Sequence, residues 1–282
     1  MADLREYQAH DDIRRIDWNV TARTTIPHVR DYFEEREVTA WFIVDTSASM
    51  QGQAAYDIVM TLAQALARGQ HRVGLVLSNG RNQPNEPLGA TATILRPGSG
   101  RQHLLRIAES LESAFRPTTK PQTKRSRWRR HKDDVDPTAE TDLAAVIALV
   151  QPHLTRKSLV FIVSDFLATT AWGAPTREIA IRHEVVALQP HDPDELRLSD
   201  GGLRVLQDAE TGEQITINAD DKQFRDRVEA AAARRNHEIS HTAMTAGADF
   251  YRVDTSVGVV ESLVEIARDR TLRMTTQRGN VG

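Results

Sequence analysis

The sequence predicts an α/β protein: a doubly wound, mainly parallel sheet with helices on both faces, of the Rossmann type. Three observations predict it. Short apolar runs rich in β-branched residues, such as 38–45 (VTAWFIVD) and 159–165 (LVFIVSD), alternate with segments of helical periodicity. The runs are continuous rather than alternating, the pattern of strands covered on both sides. Both of those runs end in a carboxylate.

The elements follow in order. Residues 1–37 are dense in charge with little hydrophobic periodicity and read as a charged extension packing on the domain. Residues 38–45 are the first buried strand. Ala55, Val59, Leu62 and Leu66 recur at helical spacing, and Gly69 closes that helix. Residues 71–78 form a second buried strand. Residues 90–95 form a third, hairpin-paired with the second across the Gly/Asn/Pro-rich stretch 79–89. Helical spacing returns over 102–115.

Residues 116–132 break the pattern with eight Lys or Arg, two prolines and no acid, and Asp133, Asp134 and Asp136 follow. This is an exposed basic insertion, spanning 116–140 in all. A helix over 141–154, the strand 159–165, a helix ending over 177–182 and a strand over 183–188 resume the alternation. Residues 203–206 and 214–217 flank Glu210-Thr211-Gly212 as a hairpin. A long helix over 220–243, a short strand over 250–253 and a last helix over 257–268 complete the domain, taken as 38–270. Residues 271–282 read as a tail. Strands alternating with helices imply parallel pairing.

The chain has 282 residues and a formal charge of −3 from 36 basic and 39 acidic side chains. That balance argues against a dedicated nucleic-acid or membrane-surface protein. There are no cysteines, which excludes disulfides, thiolate metal sites and cysteine nucleophiles. The opening residues lack the apolar core of a signal peptide, and the most apolar stretch, 158–174, is interrupted by Asp165. A soluble, cytoplasmic chain is expected, with peripheral membrane association left open.

Chemistry concentrates where the strands end. The first strand runs into Asp45-Thr46-Ser47-Ala48-Ser49, a carboxylate followed by hydroxyls at alternate positions. A later strand ends Ser164-Asp165, and Thr141 opens the helix before it. Ligands of a doubly wound sheet bind beyond the carboxyl ends of its strands. Hard divalent cations take oxygen ligands. Taken alone, Ser47 and Ser49 could simply cap the following helix.

Together, Asp-x-Ser-x-Ser, a Thr at a helix start and an Asp at a strand end resemble the metal-ion-dependent adhesion site of von Willebrand factor A domains. The resemblance implies Ser47, Ser49 and Thr141 as hydroxyl ligands, with Asp45 and Asp165 acting mainly through waters. It implies Mg²⁺, with Mn²⁺ equally suited to oxygen ligands, and a coordination position left for an acidic residue of a partner protein.

A second resemblance covers most of the chain. Leu4-Arg5-Glu6-Tyr7, the run from Asp11 through Trp18 and Ala22-Arg23-Thr24 are similar to the signature of a bacterial family, domain-of-unknown-function family number fifty-eight. Ser164-Asp165-Phe166, Arg182-His183-Glu184-Val185-Val186, Asp192-Pro193 and 208–212 also fit it. Members are often encoded beside MoxR-type AAA+ ATPases. The resemblance implies a non-enzymatic, metal-dependent protein-binding domain. Its partner would be such an ATPase or the ATPase's client. In the N-terminal signature, Arg14, Arg15, Asp17 and Arg23 read as an ion-pair network with Trp18 as a buried anchor. Three features depart from the family pattern: Ala9-His10 replaces Pro-Gly, Glu140 replaces Gly before Thr141, and the chain begins almost at the signature, as a short form or truncated start.

Two other readings compete. His237-Glu238-Ile239-Ser240-His241 is a literal H-E-x-x-H, the zinc-hydrolase arrangement, with Glu261 as a conceivable third ligand. Two histidines on a solvated helix face are the plainer account. The basic insertion with Trp128 could instead grip nucleic acid. No P-loop or dinucleotide-binding glycine motif occurs.

Overall fold

The computed structural model describes residues 2–8, 11, 16–32, 37–50, 53–78, 92–115, 142–167, 171–193, 203–207, 214–218 and 221–279. The basic insertion and Thr141 lie outside them. The chain divides into two compact units, 1–37 and 38–282.

In the first unit, β1 (Ala2–Glu6) pairs antiparallel with β2 (His28–Tyr32), and α1 (Trp18–Thr24) lies between them in sequence. The extension is therefore structured, with two strands and a helix that its charged sequence conceals. Asp17 is the N-cap of α1: its Oδ1 accepts from Asn19 N at 3.0 Å and Val20 N at 3.3 Å. Capping places Trp18 at the first helical position, where it is 67% exposed. The buried residue here is Asp17, at 6% exposure, and not Trp18, the expected anchor. Arg14 and Arg15 lie outside the described residues.

The second unit is built on six strands. They are β3 (Thr39–Asp45), β4 (Arg72–Ser78), β5 (Thr93–Gly98), β6 (Ser158–Val163), β7 (Glu184–His191) and, after the separate hairpin β8 (Leu203–Gln207) and β9 (Gln214–Asn218), β10 (Asp249–Asp254). Their spatial order is β10-β7-β6-β3-β4-β5. Counted within the sheet, this is the doubly wound order 3-2-1-4-5-6. Every pair is parallel except β4–β5. That is the doubly wound, Rossmann-type arrangement expected from the sequence.

Alternation along β3 explains why its apolar run has no polar gaps. Ala40, Phe42 and Val44 enter one core cluster, and Trp41 and Ile43 enter the other. The first face is covered by α2 (Gln53–Arg68), α3 (Arg101–Phe115) and α7 (Val259–Gly279), through Ile58, Val59, Ile107, Leu111 and Leu263. The second is covered by α4 (Leu143–Ala148), α5 (Gly173–Ala180) and α6 (Lys222–Thr245), through Leu143, Ile147, Ile179, Ile239 and Ala243.

Several boundaries differ from expectation: the strand expected over 90–95 is Thr93–Gly98, and the one expected over 183–188 is Glu184–His191. The helix expected over 141–154 is α4 plus a 3₁₀ turn, Gln151–His153, because Pro152 cannot continue α-helical hydrogen bonding. The tail expected from 271 is helix as far as Gly279, since no Gly or Pro interrupts the chain between Gly258 and that residue. Among the described residues, no helix is long and apolar enough to cross a membrane.

One buried histidine gives the fold a pH dependence. His183 is 9% exposed, and its Nδ1 accepts from Ser158 N at 3.2 Å. Burial, helped by the neighbouring Arg182 charge, holds the imidazole below its ordinary 6.5. Its stabilising contribution is complete above the unfolded value and is lost as pH falls from 6.5 through the folded one. In thermal melts, His183→Gln should flatten the loss of stability on that acid side. An unchanged slope would show that the imidazole titrates freely.

Candidate metal centre

The strand order reverses between β3 and β6, which places the switch point there. β3 and β6 pair in register from Thr39↔Ser158 to Val44↔Val163, so the next residues, Asp45 and Ser164, emerge side by side. Asp45 is 2% exposed, Ser47 3% and Ser164 0%. Asp45 Oδ1 accepts from Ser47 N at 2.9 Å, and its Oδ2 accepts from Ser164 Oγ at 3.0 Å. The 3₁₀ turn Ala48–Met50 brings the Ser47 and Ser49 hydroxyls to 3.1 Å. Ser49 itself is exposed.

Asp165 follows β6. Its Oδ1 accepts from Leu167 N at 2.9 Å, while its Oδ2 is buried with no hydrogen-bond partner among the described residues. Leaving a buried carboxylate oxygen unpaired is costly. Burial first, and then the Asp165 charge, push Asp45 up to about 6, against the Ser47 N–H that stabilises its anion. Ion pairs brace the opposite, amino edge of the sheet. There Arg270 meets Glu184 at 3.1 Å and Asp249 at 3.3 Å, and Lys157 meets Glu184 at 3.3 Å. At the carboxyl edge, Asp45 and Asp165 are close enough for the charge of one to act on the other.

Beside them opens a cleft of about 360 Å³, lined among others by Ser49, Met50, Asp165, Leu167, His191 and Thr255. Its position beyond the ends of β6, β7 and β10 leaves Ser49 and Asp165 approachable from solvent.

The structure therefore brings together four of the five residues singled out from the sequence: Asp45, Ser47, Ser49 and Asp165. Thr141 lies outside the described residues, directly before Asp142, which caps α4 by accepting from Ala145 N at 3.0 Å. The donor set is all oxygen, and the orphaned Asp165 Oδ2 and the neighbouring Asp45 carboxylate fit a hard divalent ion. Among the described residues no three His, Asp or Glu side chains gather to hold a metal. An ion here would therefore rely on the serine hydroxyls.

Sequence reasoning missed Ser164 as part of the site. It is the hydroxyl that ties Asp45 to the second strand, and its Oγ also accepts from Phe166 N at 3.0 Å. The available signal was a lone hydroxyl between the apolar run and the carboxylate that ends it, without any indication of its partner.

The H-E-x-x-H pentad sits on α6. His237 and His241 are both exposed, with ring centroids 6.4 Å apart, while Ile239 between them is buried. That is the helix spacing of two solvated histidines, whose exposed face turns away from the core beneath Ile239.

The family model for "Protein of unknown function DUF58" matches residues 3–238. The chain belongs to this family. The DUF58 match includes Asp45, Ser47, Ser49 and Asp165 and ends within α6. Uncharacterized proteins of Mycobacterium tuberculosis and Mycobacterium bovis are each 33% identical over 276 residues, covering 95% of this chain and 78% of theirs. An uncharacterized protein of Mycobacterium avium is 36% identical over 131 residues, 46% of this chain and 76% of its own. Among solved structures, BatB from Bacteroides thetaiotaomicron is 14% identical with a TM-score of 0.45, covering 82% of this chain and 98% of that one. An aerotolerance-related membrane protein from Bacteroides fragilis is 16% identical with a TM-score of 0.44, covering 78% and 92%.

Proposed function

We propose that this DUF58 protein is a non-enzymatic, divalent-metal-dependent protein-binding domain. It serves in the cytoplasm as adaptor to a MoxR-type AAA+ ATPase, in remodelling or assembling a client protein. The observation that carries the reading is the orphaned Asp165 Oδ2 at the switch point, beside a buried Asp45 and paired serine hydroxyls. Asp45, Ser47, Ser49 and Asp165 would hold Mg²⁺ or Mn²⁺, with Thr141 as a further hydroxyl ligand by resemblance to the adhesion site. Neutral hydroxyls in contact with the ion leave it electrophilic, so a partner's Asp or Glu completes it. Such a bond supplies orientation and strength that an exposed ion pair lacks.

The test is capture of partners from a lysate of the source cell, in Mg²⁺ and in EDTA, by the wild type and by Asp45→Ala/Ser47→Ala. The expected result is an AAA+ ATPase or its client held by the wild type in Mg²⁺ alone. The double variant should be folded and capture nothing that depends on metal. Equal capture by wild type and variant would sink the reading.

A further inference from the structure

Phe166 has φ 56°, in the left-handed region. A bulky side chain there is a genuine outlier. Among the described residues, three non-glycines share that region, and of them Phe166 alone is in the core, at 2% exposure. Its ring lies 4.9 Å from that of Trp172 and 6.0 Å from that of Phe250, centroid to centroid. Glycine would take the same turn without strain but would bury nothing. The position therefore answers two demands, a left-handed turn and an anchor.

Strain of this kind persists where the surroundings over-determine it. Here Phe166 N donates to Ser164 Oγ at 3.0 Å, and Asp165 O accepts from Gln189 Nε2 at 2.9 Å. Leu167 N donates to Asp165 Oδ1, and Leu167 O accepts from Arg235 Nη2, each at 2.9 Å. Segment 164–167 is thus held from β7, from α6 and from within. The outcome is an Asp165 with one carboxylate oxygen tied back and the other buried without a partner among the described residues. A loop free to relax would turn that oxygen to water.

We propose that Phe166 is a positioning residue of the metal centre. Its ring, locked between Trp172 and Phe250, maintains the left-handed turn that keeps Asp165 Oδ2 in place for an ion instead of for solvent. This rests on the metal-dependent reading above. It adds that the site is preorganised by an aromatic anchor which itself touches no metal. Residues that orient a metal ligand from behind are worth roughly 10- to 100-fold in affinity.

The experiment is Mn²⁺ titration of the full chain, followed through the electron paramagnetic resonance signal of free Mn²⁺, with thermal melts alongside. Phe166→Gly should weaken Mn²⁺ binding by about tenfold or more. Phe166→Leu, which keeps an apolar anchor, should stay within about threefold. Trp172→Leu removes the clamp from the other side and should weaken binding in the same direction, and it replaces Phe166→Gly if that variant does not melt cooperatively. Val185→Ala, in the same core cluster but at the amino end of β7, controls for general destabilisation. It should lower the melting temperature and leave Mn²⁺ affinity unchanged. Wild-type affinity in Phe166→Gly, or an equal loss in Val185→Ala, would overturn the positioning role while the metal reading stands. A wild type that binds no Mn²⁺ would overturn both.

Discussion

Replacing Asp45 with Asn should raise the melting temperature of the metal-free protein at neutral pH, and should abolish the further rise that the proposed metal site predicts for the wild type in Mg²⁺. Asp45 is buried beside Asp165, and its pKa stands at about 6 against an ordinary 3.8. An acid whose folded value is raised stabilises the fold while protonated. That contribution is complete below 3.8 and lost as pH rises through about 6. The difference amounts to about 3 kcal/mol at neutral pH, before allowing for the weaker hydrogen bonds an amide accepts from Ser47 and Ser164. Melting curves in EDTA from about pH 4 to about pH 8 should show the wild type losing stability across that window and the variant holding level. Mg²⁺ should restore the wild type by mass action and leave the variant unmoved. A metal-free variant less stable than wild type at neutral pH would mean that another group already balances the Asp45 charge.

Gly74→Ala should be among the most damaging single-methyl additions to this core. Gly74 pairs with Trp41 across β3 and β4, and a Cβ there would fall 2.7 Å from the indole Cε3. Trp41 has nowhere to move: it is 1% exposed and stacked on His153 at 5.8 Å between ring centroids. Overpacking of this kind costs about 1–3 kcal/mol, and a fully enclosed ring puts the expectation at the upper end. The β4–β5 register also slips between Val73 and Leu75, so Gly74 occupies an irregular point that tolerates a bare backbone. Trp41→Leu should be destabilising alone, yet combining it with Gly74→Ala should cost less than the two added together, by about 1–2 kcal/mol. Urea midpoints measure this directly. Strict additivity would show that the indole and the new methyl do not meet.

The parts of this fold that could be read from the chain are those whose burial demands a pattern. The continuous runs at 38–45 and 71–78 have to be strands covered on both faces, and β3 and β4 lie there. Asp45 was legible because it breaks such a run, and Ser47 and Ser49 because their alternate spacing follows it. The N-terminal ribbon was not legible. Its strands ADLRE and HVRDY pair Asp3 with Asp31 and Leu4 with Arg30, so no apolar stripe betrays them. Trp18 misled for a related reason: tryptophan suggests burial, but the Asp17 cap sets which side of α1 it occupies. Ser164 could not be assigned to Asp45 from spacing at all. That hydrogen bond joins positions 119 apart and exists only once β3 and β6 are neighbours. Phe166 was visible as a residue, whereas its backbone angle belongs to the folded loop alone.

The same 119-residue span has a consequence for how the protein is made. At about 5–20 residues per second, a ribosome needs on the order of ten seconds to pass from Asp45 to Ser164. Late in that interval, before β6, the emerging chain holds the Asp-x-Ser-x-Ser turn, together with β4 to pair with β3 on one side and β5 to pair with β4. It lacks the strand that closes the other side and the carboxylate that follows it. On the proposed reading, partner capture would wait for β6, so a nascent or prematurely ended chain would carry half of the candidate metal centre and offer no finished grip.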